Sequence, residues 1–441
     1  MTSSLPESFP TIGVVGLSHL GLVWSMGYAH LGFNVIGFDT DKETVSSLNR
    51  HVIPLEEPGL EELLKKHHSQ LAFTHDPAAL GQCPVIYFAR DVPMDEEGNI
   101  DLSEIDALLD AVIPCLPRHV EFIFMGQVPV GYTRKLSGKI RKRRPDLPFN
   151  LTYCVEIVSL GTAIDNFLHR DYTLLGVADP DKEQSAPLVR KVLEPFGAKL
   201  LCVSYESAEL MKGARNILMA SHLSFVNTLA DYCEKLGARI HEVTSGMKLD
   251  KKFSPHSPWR AGLGFAGGHF ERDLSTWIRL AEENGLNAGF LKSIVKYNKE
   301  RHAWLDQALK RHVFSTASEK PVIALWGLSY KKGTDSTHNS HALRIIRRYS
   351  HQADLRVFDP VARLPKSVVG VRIYEDKLDA LRGADCLIIL TEWEEFALPD
   401  ATPLLEYMRR PVVIDCVNIL PQKMVEGGGL VRVVAGEPLA L

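Results

Sequence analysis

Residues 11–41 read TIGVVGLSHLGLVWSMGYAHLGFNVIGFDTD, and this stretch decides the fold. TIGVVG (11–16) is a β-branched run that ends in glycine, the pattern of a strand buried on both faces. LGLVWSMGYAHLG (20–32) has helical spacing and closes on Gly32, and NVIGFDTD (34–41) is a second strand. Strand, helix and strand in about thirty residues make a βαβ unit. The turn between the first strand and the helix, Gly16-Leu17-Ser18-His19-Leu20-Gly21, stands where a G-x-G-x-x-G turn would stand. Gly16 permits the tight turn and Gly21 the close packing of helix on strand. Ser18 replaces the middle glycine, where backbone must approach a pyrophosphate, but it is small and offers a hydroxyl. Asp39 ends the second strand, where a carboxylate accepts hydrogen bonds from a ribose diol and repels a 2′-phosphate. The expected cofactor is therefore NAD, held by Gly16, Ser18, His19, Leu20, Gly21 and Asp39. A turn that has lost its ligand is the alternative.

Outward from this unit, apolar runs recur at VIYFA (85–89), EFIFMG (121–126), NLTYCVE (150–156) and YTLLGVA (172–178), with helical stretches between them. That alternation predicts a doubly wound α/β domain over 1–203. The pattern then changes. Residues 204–237 contain no proline, only Gly213 before the closing Gly237, and apolar positions at helical spacing. They predict one helix on the order of 45 Å long at about 1.5 Å per residue, too long for a small domain to cover. Helical segments continue to about 310, so 204–318 reads as a central helical dimerisation region. The α/β signal restarts at PVIALWGLSYKKG (321–333), which repeats the G-L-S of the first turn, and continues through DLRVFDP (354–360), ADCLIILTEW (385–393) and PVVIDCVN (411–418). Residues 319–441 are expected to form a second domain. The fold class is α/β: two Rossmann-like doubly wound domains joined by a long central helix and a helical dimerisation region.

The chain has 441 residues and a net charge of −4, so no global field draws it to nucleic acid or to an anionic membrane. The one basic run, KIRKRRPD (139–146), reads as a solvated helix end. The seven cysteines are odd in number and scattered, with no CxxC pair. They point away from a disulfide framework or metal site and toward a reducing cytoplasm. MTSSLPESFP (1–10) lacks the basic and apolar regions of a signal peptide. His19, His30, Asn34 and several glycines interrupt the apolar stretch 12–38, which is not expected to span a membrane.

Several segments, in order, resemble the UDP-glucose/GDP-mannose dehydrogenase family over essentially the whole chain: HVIPLEEPGLEELL (51–64), GTAIDNFLHRD (161–171), ELMKGARN (209–216), GLSYKKGTD (327–335), FDP (358–360) and TEWEEF (391–396). The resemblance implies an NAD-dependent oxidation of a nucleotide sugar, a homodimer built on the central helix, and a C-terminal domain that helps hold the nucleotide. It implies catalytic roles for Lys212, Asn216, Asp273 and Glu156, and substrate contacts at Phe265, Gly268 and Lys331. The family carries out two hydride transfers, the second through a thioester on the cysteine of a G-F-G-G-S-C-F-P-K-D loop. Here the loop reads GFAGGHFERD (264–273), and His269 takes the nucleophile's place. Other departures are Leu160 at the second glutamate of P-E-F-L-x-E-G, Val92-Pro93-Met94-Asp95 for the VPTP turn, Gly126-Gln127-Val128-Pro129 for S-T-V-P, and His338 and Val417 where arginines are usual.

Lys212 and Asn216 lie four apart on the predicted long helix and share a face. A cation beside a developing alkoxide lowers the cost of removing its proton. His269 can act as a general base, but imidazole cannot replace a thiolate in forming a stable acyl adduct. Two expectations follow: an enzyme that stops after one two-electron step, or a silent homologue that binds ligands or regulates a partner. Binding of nucleic acid through 139–144 is a third reading, disfavoured by the acidic net charge.

Overall fold

The computed structural model describes residues 9–92, 101–182, 185–317, 319–425 and 429–438. The chain divides into two compact units, Met1–Arg215 and Asn216–Leu441.

The first unit is built on an eight-stranded sheet. Its strands are β1 (Ile12–Val15), β2 (Val35–Phe38), β3 (Leu71–Thr74), β4 (Val85–Ala89), β5 (Val120–Met125), β6 (Phe149–Cys154), β7 (Tyr172–Val177) and β8 (Lys199–Ser204), in the order β3-β2-β1-β4-β5-β6-β7-β8. Every residue of β1, β2, β4 and β5 is buried, which explains their unbroken apolar runs. β1 lies between β2 and β4, with Ile12 opposite Val35 on one side and Val85 on the other. The strand order reverses at β1, and in open α/β sheets that crevice is where ligands bind. Helix α1 (His19–His30) follows β1 directly, and Trp24 and Tyr28 meet the ring of Phe167 edge-on at 5.0 and 5.4 Å.

β1 to β6 are parallel, but β7 pairs with β6 antiparallel, Tyr153 opposite Gly176, and β8 is parallel to β7. The apolar run of β7 encodes burial but no direction. The chain from β6 to β7 carries only the six-residue helix Ala163–Leu168, short of the crossover helix that a parallel return needs.

Helix α2 runs from Tyr205 to Leu236, 32 residues, and the boundary between the units falls inside it. The second unit continues through helices to His312, including α3 (His269–Glu283), and then forms a six-stranded sheet. Its strands are β9 (Val322–Trp326), β10 (Asp354–Phe358), β11 (Arg372–Ile373), β12 (Cys386–Ile389), β13 (Val412–Asp415) and β14 (Val431–Val434). All its pairings are parallel, in the order β11-β10-β9-β12-β13-β14, the same winding as β3 to β6. Helix α4 (His341–Tyr349) packs beside it.

The basic run ends the helix Tyr132–Arg143, where Lys139 and Arg143 pair with Asp106 and Asp110. The seven cysteines are all free thiols. Among the described residues no cluster of His, Cys, Asp or Glu could hold a metal ion, and no helix is long and apolar enough to cross a membrane.

Candidate active site

The dinucleotide turn has the geometry that its residues call for. Gly16 sits at φ +89° and donates its N–H to Phe38 O at 2.9 Å. Only glycine takes that conformation without strain. A β-carbon on Gly21 would lie 1.7 Å from the carbonyl oxygen of Gly16, so this position admits no side chain. Asp39, 3% exposed, accepts from Leu17 N at 2.7 Å and from Asp41 N at 3.0 Å, and Arg90 stands 3.3 Å from it. A helix N-terminus directly after the turn and a carboxylate at the end of β2 fit a dinucleotide. One neighbour is discordant: the exposed Asp91 accepts from Leu20 N at 3.2 Å.

The six predicted cofactor residues differ in what they offer. Ser18 Oγ accepts from Asp91 N at 3.0 Å, so its hydroxyl ties the turn to the end of β4. The His19 ring points to Glu57 at 2.8 Å, and the Leu20 N–H is taken by Asp91. Glu57 was not singled out in the sequence. Its side chain is fully buried and also accepts from Gly161 N and Ala163 N at 2.8 and 2.9 Å, tying the 161–171 segment to the turn. Burial alone would raise the Glu57 carboxyl, but the hydrogen bonds from His19, Gly161 and Ala163 outweigh it and hold it below the usual range.

Within the first unit, Lys212 is nearly buried on α2. It donates to the carbonyl of Glu156 at 2.7 Å and pairs with the carboxylate of the same residue. Two predicted catalytic residues, 56 apart in the chain, are thus joined at an ammonium–carboxylate pair that is 10% and 14% exposed. Leu160 lies in the half-buried stretch that follows Glu156.

Within the second unit, Asn216 donates to the buried Asp273 at 2.6 Å, and Arg272 stands 3.3 Å from the other Asp273 oxygen. His269 opens α3 behind Gly268 and is exposed. The loop before it is fixed from below. Asn298 receives Phe265 N at 2.8 Å and donates to Phe265 O at 3.1 Å, and a β-carbon on Gly264 would strike its amide. Phe265 is buried among Ile217, Ala220, Leu274 and Ile294, so its ring belongs to the core. Gly267 lies under the ring of Tyr330, and Gly268 under the ring of His338. Lys331 is half-buried, with its ammonium 5.8 Å from the Tyr330 ring centre. Glu271, at the family loop's proline position, accepts from Asn339 at 2.7 Å and pairs with Arg344, whose guanidinium also meets His302. No periodicity marks Asn298 or Glu271 as site residues.

Beside this loop lies a cavity of about 450 Å³, bordered by Asn227, Lys248, Arg260, Tyr330, His341 and Val417. Two cations, a phenol ring and an amide suit a phosphorylated nucleotide. Arg260 donates to Val417 O at 3.2 Å, so a guanidinium stands beside the position where the expected arginine is missing. The Nδ1 of His341 is buried without a hydrogen-bond partner. Burial, with the neighbouring His302 and Arg344, lowers His341 to about 3, and burial and Arg344 lower His302 to about 4, so both are neutral.

Fold and turn together define the class: a nucleotide-dependent protein of two Rossmann-type units, the first built for a dinucleotide. Comparison with known proteins fixes the family. The NAD binding domain of the UDP-glucose/GDP-mannose dehydrogenase family matches residues 10–196, its central domain 206–300 and its UDP binding domain 324–422. The UDP-glucose 6-dehydrogenase of Pseudomonas aeruginosa is 30% identical over 94% of this chain and 95% of its own length. Among solved structures, a UDP-glucose dehydrogenase from Pyrobaculum islandicum is 25% identical with a TM-score of 0.85, covering 99% of this chain and 100% of that one. The UDP-D-ManNAc dehydrogenase of Pyrococcus horikoshii shares the fold at 22% identity and a TM-score of 0.82, covering 97% and 99%. The chain belongs to the UDP-glucose/GDP-mannose dehydrogenase family, and its N-terminal domain is that family's NAD binding domain.

Proposed function

We propose that this protein oxidises an alcohol of a nucleotide sugar, a UDP-sugar, in a single two-electron step with NAD. The observation that carries the reading is His269, an imidazole at the first position of α3 where the family's loop has its thiol. Bound NAD supplies the hydride acceptor. Lys212, held by Glu156, provides the positive charge that steadies an alcohol oxygen as its proton leaves. Asn216, fixed by Asp273, offers an amide to the reacting oxygen or to water. His269 takes the proton. The cavity with Lys248 and Arg260 supports a nucleotide diphosphate as the handle. An acid product would need a tetrahedral adduct at the aldehyde carbon, and without a thiol that adduct is a hydrate, which no covalent bond to the enzyme holds in place. The reaction therefore stops at the aldehyde or ketone.

The test is product mass and NADH yield after exhaustive reaction of a panel of nucleotide sugars with excess NAD. We expect one NADH per sugar and a carbonyl product. Two NADH and a carboxylate would overturn the reading. A silent homologue is the second reading, favoured by the carboxylate of Asp91 on the helix that should receive the cofactor. No NADH with any sugar would support it.

We also propose a homodimer. On α2, Leu218, Phe225 and Tyr232 recur every seven residues and are 71%, 53% and 61% exposed, with Leu236 at 77%. A heptad stripe of large apolar side chains suits a second copy of the same helix. Light scattering that finds only monomer at micromolar concentration would overturn this. The free thiols support a cytoplasmic location.

A further inference from the structure

The dinucleotide turn carries an anion of the protein's own. Asp91 lies two residues past β4 and places Oδ2 3.2 Å from Leu20 N. That N–H belongs to the first turn of α1, whose donors have no helical carbonyl to bond. Asp91 is held there from behind, because its own N–H donates to Ser18 Oγ at 3.0 Å. The neighbouring N–H of Leu17 is taken by Asp39. A pyrophosphate bound at the start of such a helix needs these first-turn donors and the positive end of the helix dipole.

We propose that Asp91 is a built-in competitor that sets the affinity for the dinucleotide: its carboxylate occupies the first-turn N–H of α1 until a pyrophosphate displaces it. The inference rests on the reading that the turn binds NAD. Three observations carry it. Ser18 pins the Asp91 backbone, so displacement is a side-chain rotation that leaves the negative charge near the incoming phosphates. The adjacent Arg90 does not cancel that charge, because it is engaged by both Asp39 at 3.3 Å and Glu104 at 2.6 Å. Asp91 is exposed, so its displaced carboxylate enters water readily, and the contact tunes binding without blocking it. Ser18 acquires a purpose in this arrangement: at the place of a phosphate-facing glycine, it anchors the competitor.

The test is calorimetry of NAD, ADP-ribose and adenosine with the whole protein and with Asp91→Asn, which keeps an acceptor for Leu20 N and removes only the charge. We expect NAD and ADP-ribose to bind Asp91→Asn about tenfold more tightly, the effect of one like charge near the phosphates. Adenosine, which has no phosphate, should bind both proteins equally. Raising the salt should tighten NAD binding to the wild type, by screening the repulsion, and should lose this effect in Asp91→Asn. Asp91→Ser should act in the same direction. If the wild type binds NAD and Asp91→Asn binds it no more tightly, or if adenosine shifts as much as NAD, the proposal fails and the cofactor reading survives. If neither protein binds NAD, both fail.

Discussion

The two sheets begin with the same device and put it to different ends. Gly16 and Gly327 both sit at positive φ, +89° and +104°, after the strand where the order reverses. Each donates its N–H at 2.9 Å to the phenylalanine closing the next strand, Phe38 or Phe358. Leu17 and Leu328 each donate at 2.7 Å to the aspartate that follows, Asp39 or Asp359. The difference lies downstream. After Gly16 the helix starts at His19, and its first turn packs on the glycine. After Gly327 the chain wanders through 328–340 before α4 starts at His341, capped by Ser340. Asp359 is used up by the fold: it also accepts from Ser329, Val361 and Ala362 backbone N–H groups and from Trp393 Nε1. An acid at the end of the second strand is thus first a clamp on the turn, so Asp39 alone does not mark a cofactor site.

The largest expected effect tests that packing. Gly21→Ala must push backbone against backbone and should cost the first unit about 3 kcal/mol or more, with loss of NAD binding. The residue as far beyond Gly327 as Gly21 is beyond Gly16 is Lys332, which is exposed, and Lys332→Ala should be neutral within about 0.5 kcal/mol. Hydrogen exchange resolved over the two units would read both. Next, Asp359→Ala orphans more buried N–H groups than Asp39→Ala does. We expect losses of about 4 and about 2 kcal/mol from the respective units. Only Asp39→Ala should weaken NAD binding, by about 1–3 kcal/mol in calorimetry. Equal stability losses would break the comparison.

Acid should also separate the units. His341 and His302 are lowered by burial and by the Arg344 charge, to about 3 and about 4, and burial lowers His222 and His312 as well. A histidine whose folded pKa lies below its unfolded value stabilises above the unfolded value and loses that contribution as the pH falls toward the folded one. The second unit should weaken from pH 6.5 downward, with His341 and His302 each contributing on the order of 2 kcal/mol at pH 5. Burial raises Glu121 and Glu209 in the first unit. Their contribution is full below the ordinary glutamate range and is lost as the pH rises, so acid favours that unit. His30, Glu57 and Glu206 in the first unit, whose lowered values lose stability in acid, and Glu234 in the second, whose raised value does not, pull the other way and reduce the contrast. Exchange protection measured at pH 7 and pH 5 should fall in 216–441 relative to 1–215. Equal loss in both would contradict the assignment.

What the sequence disclosed tracks what is local. The βαβ unit, the positive-φ glycine and the 32-residue helix are written in periodicity and glycine placement within a few dozen residues. Lys212 and Asn216 share a face by arithmetic alone. The reversal at β7 was hidden because apolar runs carry no direction, and the strand Arg372–Ile373 because two exposed residues carry no pattern. The partners of the site residues were hidden for a third reason. Glu156 meets Lys212, and Asp91 meets Leu20, across 56 and 71 residues, and only the completed sheet fixes those encounters. Family resemblance supplied the roles proposed for Lys212 and Asp273, but it was silent on Glu57, Arg90 and Asp91, which the fold brings to the dinucleotide turn.

The smallest effect sharpens the comparison at its middle position, where both turns carry serine. Ser329 donates to Asp359 at 3.3 Å, a long bond to an acid already held by several backbone groups. Ser18 instead accepts from Asp91 N at 3.0 Å and ties the turn to the end of β4. Ser329→Gly should therefore cost about 0.5 kcal/mol, and Ser18→Gly about 1 kcal/mol, the ordinary net worth of one hydrogen bond. Their functional signatures should differ more than their stabilities. Freeing the Asp91 backbone lets its carboxylate move farther from α1, so Ser18→Gly should bind NAD more tightly than the wild type, in the same direction as Asp91→Asn but by less. In Ser18→Gly/Asp91→Asn no charge remains to be released, so the double variant should bind NAD as Asp91→Asn does. Calorimetry on the four proteins closes this cycle, and additive gains would show that Ser18 affects the cofactor by a route other than Asp91.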